Sequence, residues 1–105
     1  MRRGKAPGAF ATFVVDQLGG LGDLVTKRMF GGMGLYLDGT FFGLVFDDRL
    51  YFRVSEHTRG EYKKRKMKPF TFNGKSGSQR YYEVPLEILE SPDDLAAWAK
   101  AASQS

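Results

Sequence analysis

Apolar positions along the chain change period twice. Phe10, Phe13, Val14 and Leu18 recur at helical spacing, which places them on one face of an N-terminal helix. Pro7 suits the first turn of that helix, Gly19-Gly20 ends it, and Gly22-Asp23 extends the turn. From Val25 onward the pattern is that of strands. Val25 to Phe30 reads as a first strand, and Leu35-Tyr36-Leu37 and Thr40-Phe41-Phe42 flank Asp38-Gly39. A two-residue Asp-Gly loop suits a type I′ hairpin turn, because Gly accepts φ > 0 and the twist matches the flanking strands. Asp47-Asp48 joins Phe41–Phe46 to Leu50–Val54, and Asp favours turns because its side chain can bond the nearby backbone. The stretch Lys27–Val54 is therefore a β-meander.

Phe41–Phe46 is apolar on both faces, whereas a strand with one wet face alternates. The expectation is that both faces of the sheet centre are covered. Helices can cover one; the other needs a second layer, a loop or another subunit.

After the meander, Ser55 reads as an N-cap and Glu56 suits the first turn. The helix expected over Glu56–Lys66 is anchored by Tyr62 and Met67, is weakened by Gly60, and stops before Pro69. Phe70-Thr71-Phe72 and Arg80–Val84 read as a second hairpin, joined by a longer, flexible loop over Asn73–Ser78. Pro85 ends the sheet, and Leu86, Ile88 and Leu89 form a short apolar turn. Ser91-Pro92-Asp93-Asp94 is a helix start: a cap, a Pro at the first position and two acids on the positive end of the dipole. Leu95, Trp98, Ala99 and Ala102 give that helix its buried face. The predicted class is α+β: one antiparallel sheet of about five to six strands, in the order α, three or four strands, α, two strands, α, with the helices packed on the sheet. One domain over residues 1–105 is expected, with residues 1–6 disordered.

Composition narrows the chemistry. The chain has no cysteine, which excludes disulfides, thiolate metal sites and Cys nucleophiles and fits a reducing cytoplasm. No apolar run approaches the roughly 20 residues that span a bilayer. Basic residues precede apolar ones at the start, but Pro7-Gly8 breaks the run and Asp16 ends it, so a helix is read there rather than a signal peptide. The net charge is +4, with six bases and one acid between Arg59 and Lys68, so the rest of the chain sums to −1. Five acids and no base lie between Glu83 and Asp94. A near-neutral domain thus carries one basic and one acidic strip.

These residues carry a resemblance. Arg28-Met29-Phe30-Gly31-Gly32-Met33-Gly34-Leu35-Tyr36, then Leu50-Tyr51-Phe52-Arg53, Lys68-Pro69-Phe70, Tyr81-Tyr82-Glu83-Val84-Pro85 and the closing helix with Trp98 resemble, in order, the TfoX/Sxy N-terminal domain family over about residues 10–102. The resemblance implies an α+β domain, a bacterial cytoplasmic setting and no known enzymatic activity. Named members regulate competence for DNA uptake at the level of transcription, and usually carry a second, helical domain. The sequence ends at Ser105 without it, so a stand-alone N-terminal domain is expected. The family supplies no catalytic residues.

Each candidate site has a plainer alternative. Gly31-Gly32-Met33-Gly34 could be a backbone anion nest, but a strand follows where dinucleotide binding needs a helix. The preferred reading of Arg28, Met29, Phe30, Gly31, Gly32 and Gly34 is structural: a bend or bulge where backbone passes close to a neighbour. Gly74-Lys75-Ser76 lacks the upstream Gly and the downstream helix of a phosphate loop. His57, the only histidine, reads as a solvated surface residue. Asp47-Asp48 and Asp93-Asp94 are explained by turns and capping. The basic strip of Arg59, Lys63, Lys64, Arg65, Lys66 and Lys68 is the strongest binding candidate, with 59, 63 and 66 near one helix face and Tyr62 and Phe70 available to stack on bases. A solvated face is the plainer reading, and the acidic strip of another copy is a third option. The expectation is a non-enzymatic regulatory or interaction domain, acting through a protein partner or a second copy, without cofactor, metal, membrane or small-molecule substrate. The alternative is a nucleic-acid-binding domain that uses residues 59–68.

Overall fold

The computed structural model describes residues 8–29, 31–72, 75–76 and 80–105. The expectations for residues 1–6, Pro7, Phe30, Asn73, Gly74, Gly77 and Ser78 lie outside them. Helix α1 (Gly8–Gln17) leads into four strands, β1 (Leu24–Met29), β2 (Gly32–Leu37), β3 (Thr40–Phe46) and β4 (Arg49–Arg53). Helix α2 (Glu56–Lys64) follows, then β5 (Thr71–Phe72), β6 (Lys75–Ser76) and β7 (Tyr81–Glu83), and finally α3 (Leu86–Leu89) and α4 (Pro92–Ser103). The main sheet is antiparallel, in the order β1-β2-β3-β4-β7. The fold is α+β, as the sequence predicts.

The two meander turns form as expected. Asp38 and Gly39 have φ of 51° and 82°, and Asp47 and Asp48 have φ of 54° and 57°. Positive φ at both central residues is the type I′ signature.

A bulge sets the faces of the sheet. Leu35 pairs with Gly43, but Tyr36 pairs with Phe41, so Phe42 is the extra residue of β3. The alternation flips there. Phe42 and Val45, 0% and 1% exposed, both enter the core beneath the helices. Phe41, Leu44 and Phe46 are left for the opposite face. The core face joins Leu35, Leu50, Phe52 and Tyr82 to Val14 and Leu18 of α1 and to Leu95, Ala99 and Ala102 of α4. Gln17 Nε2 donates to the Leu89 carbonyl at 3.0 Å and ties α1 to the end of α3.

Helix α2 begins with the predicted cap. Ser55 Oγ accepts from the His57 and Thr58 amides at 3.2 and 3.3 Å, and Thr58 Oγ1 accepts from the Ser55 amide at 2.9 Å. This is a reciprocal capping box. The helix ends at Lys64 and not at Lys66. Lys66 has φ 63°, its amide donates to Lys63 O, and the Met67 amide donates to Tyr62 O. That pair of bonds is a Schellman stop, with lysine where glycine is usual. Lys66 is therefore off the helix, which removes the expected shared face of 59, 63 and 66.

The second hairpin is also rearranged. Thr71–Phe72 is a strand as expected, but it pairs in a separate ribbon with Lys75–Ser76, which lies in the segment expected to be a flexible loop. Tyr81–Glu83 instead completes the main sheet beside β4, whose outer edge would otherwise be bare. Only Lys68–Phe70 runs along the far side of β7, where the Phe70 amide donates to Tyr81 O and the Glu83 amide to Lys68 O. The apolar turn at Leu86–Leu89 is a short helix.

Candidate functional site

The sheet face away from the helices is built from the register. Directly paired residues share a face. Val25, Tyr36 and Phe41 therefore line up across β1, β2 and β3. The Tyr36 and Phe41 ring centroids are 5.2 Å apart, and the Phe41 and Tyr81 centroids 5.7 Å. The result is an apolar stripe across the sheet, with Val25 46% exposed at its open end and the three rings half-buried. A second group lies beside it. The Phe70 ring meets Tyr51 at 4.9 Å and Phe46 at 5.7 Å, both edge-on. Leu44 below them is 5% exposed. The face is thus covered by its own aromatics and by the chain returning through Phe70, which answers the expectation of a shielded central strand without a second helical layer.

The glycines of the sequence motif belong to this face. A Cβ on Gly34 would lie 2.5 Å from Met29 Sδ and 3.1 Å from the Phe41 ring, so the rings rest where a side chain would stand. A Cβ on Gly32 would lie 2.2 Å from the Val45 carbonyl oxygen. Gly31 has φ 79° between β1 and β2. Arg28 is exposed on β1, and Met29 is half-buried. Lys27 Nζ lies 5.1 Å from the centroid of the Tyr36 ring, a cation–π contact at the rim of the stripe. Arg49 and Glu83 form an ion pair at 3.2 Å on the same face. Burial first, and then the Glu83 carboxylate, raises the pKa of the Tyr51 hydroxyl, which stays protonated.

The basic strip does not act as one surface. Arg65 reaches Glu87 at 2.8 Å and Glu61 at 3.8 Å and lies 5.4 Å from the Trp98 ring centroid. Lys64 lies 3.8 Å from Glu61. Arg59 is half-buried. Lys63, Lys66 and Lys68 are exposed and make no ion pair with a described residue. The basic and acidic strips of one chain thus meet each other through Arg65 and Glu87. The Glu87 carboxyl is held below its ordinary pKa, first by its own backbone N–H and then by Arg65.

A second concavity lies between α2 and α4. It is lined by residues that include His57, Glu61, Tyr62, Trp98 and Ala102, with Arg53 of β4 at one end. The Tyr62 and Trp98 rings meet at 4.8 Å, and burial pushes the pKa of the Tyr62 hydroxyl well up. Helical spacing alone puts Trp98 in the core and leaves His57 in solvent, and does not bring the two together. One local signal was available: Ala97 and Ala101, a helical turn apart and flanking Trp98, leave an indentation on α4. Among the described residues, no group of three or more His, Cys, Asp or Glu side chains is placed to hold a metal ion. No described helix is long and apolar enough to cross a membrane.

The family model described as the TfoX N-terminal domain matches residues 16–105. No curated protein matches the chain.

Proposed function

The chain belongs to the TfoX N-terminal domain family, and from that premise we propose that it is a non-catalytic regulatory module that recognises a protein partner through the sheet face opposite its helices. The observation that carries this reading is the stripe of Val25, Tyr36, Phe41 and Tyr81. Half-buried Tyr and Phe rings rimmed by charged residues match the composition of an interface centre, where aromatics are enriched and charges are pushed to the edge. Lys27 and the Arg49–Glu83 pair supply such a rim. The family resemblance supports a setting in the bacterial cytoplasm and a role in regulating transcription, of the kind that controls competence. A second copy is one candidate partner, because a sheet face of this kind can meet its own equivalent about a two-fold axis.

Solution mass and site-specific photo-crosslinking test the reading. A photoreactive phenylalanine at position 41 should crosslink to a defined partner or to a second copy. The same group at position 86, also an exposed apolar residue but outside the stripe, should not. Phe41→Lys should abolish the complex while Leu86→Lys preserves it. A strict monomer that crosslinks nothing from position 41 would overturn the assignment of this face.

A further inference from the structure

Strand β1 is the outer edge of the main sheet, and among the described residues no strand pairs beyond it. Val25, Thr26, Lys27 and Arg28 are all exposed, so neither side of the strand is covered. The register says which of its backbone groups point outward. Leu37 and Thr40 close the two-residue turn as a bonded pair, so Tyr36, one residue back, bonds toward β1. The Asp38 amide, which donates to Asp23 O at 3.3 Å, follows the same alternation. Tyr36 pairs with Val25 and Gly34 with Lys27, so the amides of Val25 and Lys27 are engaged inside the sheet. The amides and carbonyls of Thr26 and Arg28 face outward, and so does the Leu24 carbonyl. The Leu24 amide is taken by Gly22 O at 2.8 Å. The row of outward groups runs along a six-residue strand without proline or bulge, the kind of edge that accepts another strand.

We infer that a second copy of this chain pairs with β1, antiparallel and about a two-fold axis at Thr26, and joins the two sheets edge to edge. Each Thr26 then donates to the carbonyl of the other, and each Arg28 amide donates to the opposite Leu24 carbonyl. Lys27 and Arg28 are the charges that commonly keep an edge apart. In this register they fall opposite Val25 and Leu24 of the second copy and not opposite each other. Lys27 is also diagonal to the exposed Asp23 of the second copy. The neighbouring registers are worse. An axis at Lys27 or at Arg28 sets like charges directly opposite, which is destabilising. An axis at Val25 carries Arg28 past the turn at Gly22 and halves the bonds. Opposed residues share a face, so the helices of both copies lie on one side of the joined sheet and both aromatic stripes on the other. Edge pairing thus goes beyond the sheet-face reading and leaves that face open.

Hydrogen exchange on the parent chain tests this without any variant. At about 1 mM protein the Thr26 and Arg28 amides should exchange about tenfold more slowly than in dilute solution, while those of Val25 and Lys27 stay slow throughout. The chain has no cysteine, so single cysteines map the register. Thr26→Cys should give a disulfide-linked dimer under mild oxidation, because residues in a bonded antiparallel pair stand about 5.5 Å apart at Cα. Lys27→Cys and Arg28→Cys, further from the axis, should give far less. Thr26→Lys, at an exposed position, sets like charges across the axis and should return the chain to a monomer in sedimentation. Phe41→Lys should leave the edge dimer intact, which separates failure of edge pairing from failure of the sheet-face reading. A parent chain that sediments as a monomer at about 1 mM would overturn the inference. So would Thr26 and Arg28 amides that exchange alike at both concentrations, or crosslinking from position 27 or 28 as strong as from 26.

Discussion

Arg65 donates to Glu87 Oε2 at 2.8 Å, across 22 positions of sequence, and its guanidinium sits 5.4 Å from the Trp98 ring centroid. One side chain thus links α2, α3 and α4. The Glu87 carboxyl lies below its ordinary pKa because its own backbone N–H bonds the ionised form, with Arg65 as the second cause. A depressed carboxyl stabilises the fold above the unfolded carboxylate value and loses that contribution as pH falls through the folded value. Glu87 should therefore titrate by NMR on the acid side of an ordinary glutamate. Arg65→Gln should raise its pKa only part of the way, because the backbone bond remains. A full return to the ordinary value would mean that the backbone bond contributes nothing.

Lys66 tests the end of α2. Its left-handed conformation costs an L-residue about 1 kcal/mol, which glycine avoids at some loss of chain entropy. Lys66→Gly should raise stability by about 0.5 kcal/mol in urea titration. Lys66→Ala keeps the same strain and should leave stability nearly unchanged. Equal effects of the two variants would show that the stop is not held by Lys66.

Much of this architecture is legible locally. The turns at Asp38-Gly39 and Asp47-Asp48, the Ser55 cap and the Ser91-Pro92 start form where the residues place them, because each depends on a few neighbouring groups. The bulge at Phe42 is not legible, since a strand apolar on both faces has no alternation to reveal a flip. The choice of Tyr81–Glu83 as the partner of β4 is decided by long-range edge pairing, which local pattern does not encode. The same holds for the cleft. Tyr62 and Trp98 are ordinary core residues until the packing of α2 on α4 brings them together beside His57.

The exposed lysines bound any electrostatic role of residues 59–68. With Arg65 and Lys64 engaged by carboxylates, Lys63, Lys66 and Lys68 remain for phosphate contacts. Each neutralised phosphate contributes about −0.9 to the slope of log affinity against log salt. Binding of duplex DNA through this strip should therefore show a slope no steeper than about −3 in fluorescence anisotropy, and Lys63→Glu should make it shallower. A much steeper slope would require basic residues from another part of the surface.

Gly32 and Gly60 offer opposite outcomes from the same substitution. A Cβ on Gly32 would stand 2.2 Å from the Val45 carbonyl oxygen, where β2 and β3 are hydrogen-bonded, so backbone must move to admit it. Overpacking of this kind costs about 1–3 kcal/mol, and a contact with backbone rather than a flexible side chain belongs at the upper end. Gly60 lies exposed inside α2, and a Cβ there meets nothing within 4 Å. Alanine at that position removes the helix penalty of glycine and should stabilise by about 0.5–1 kcal/mol. Thermal unfolding of the two variants should thus bracket the parent, with Gly32→Ala below it and Gly60→Ala above it by a few degrees. If Gly32→Ala melts with the parent, β2 and β3 do not approach as closely as the sheet register requires, and the aromatic stripe built on that register loses its foundation.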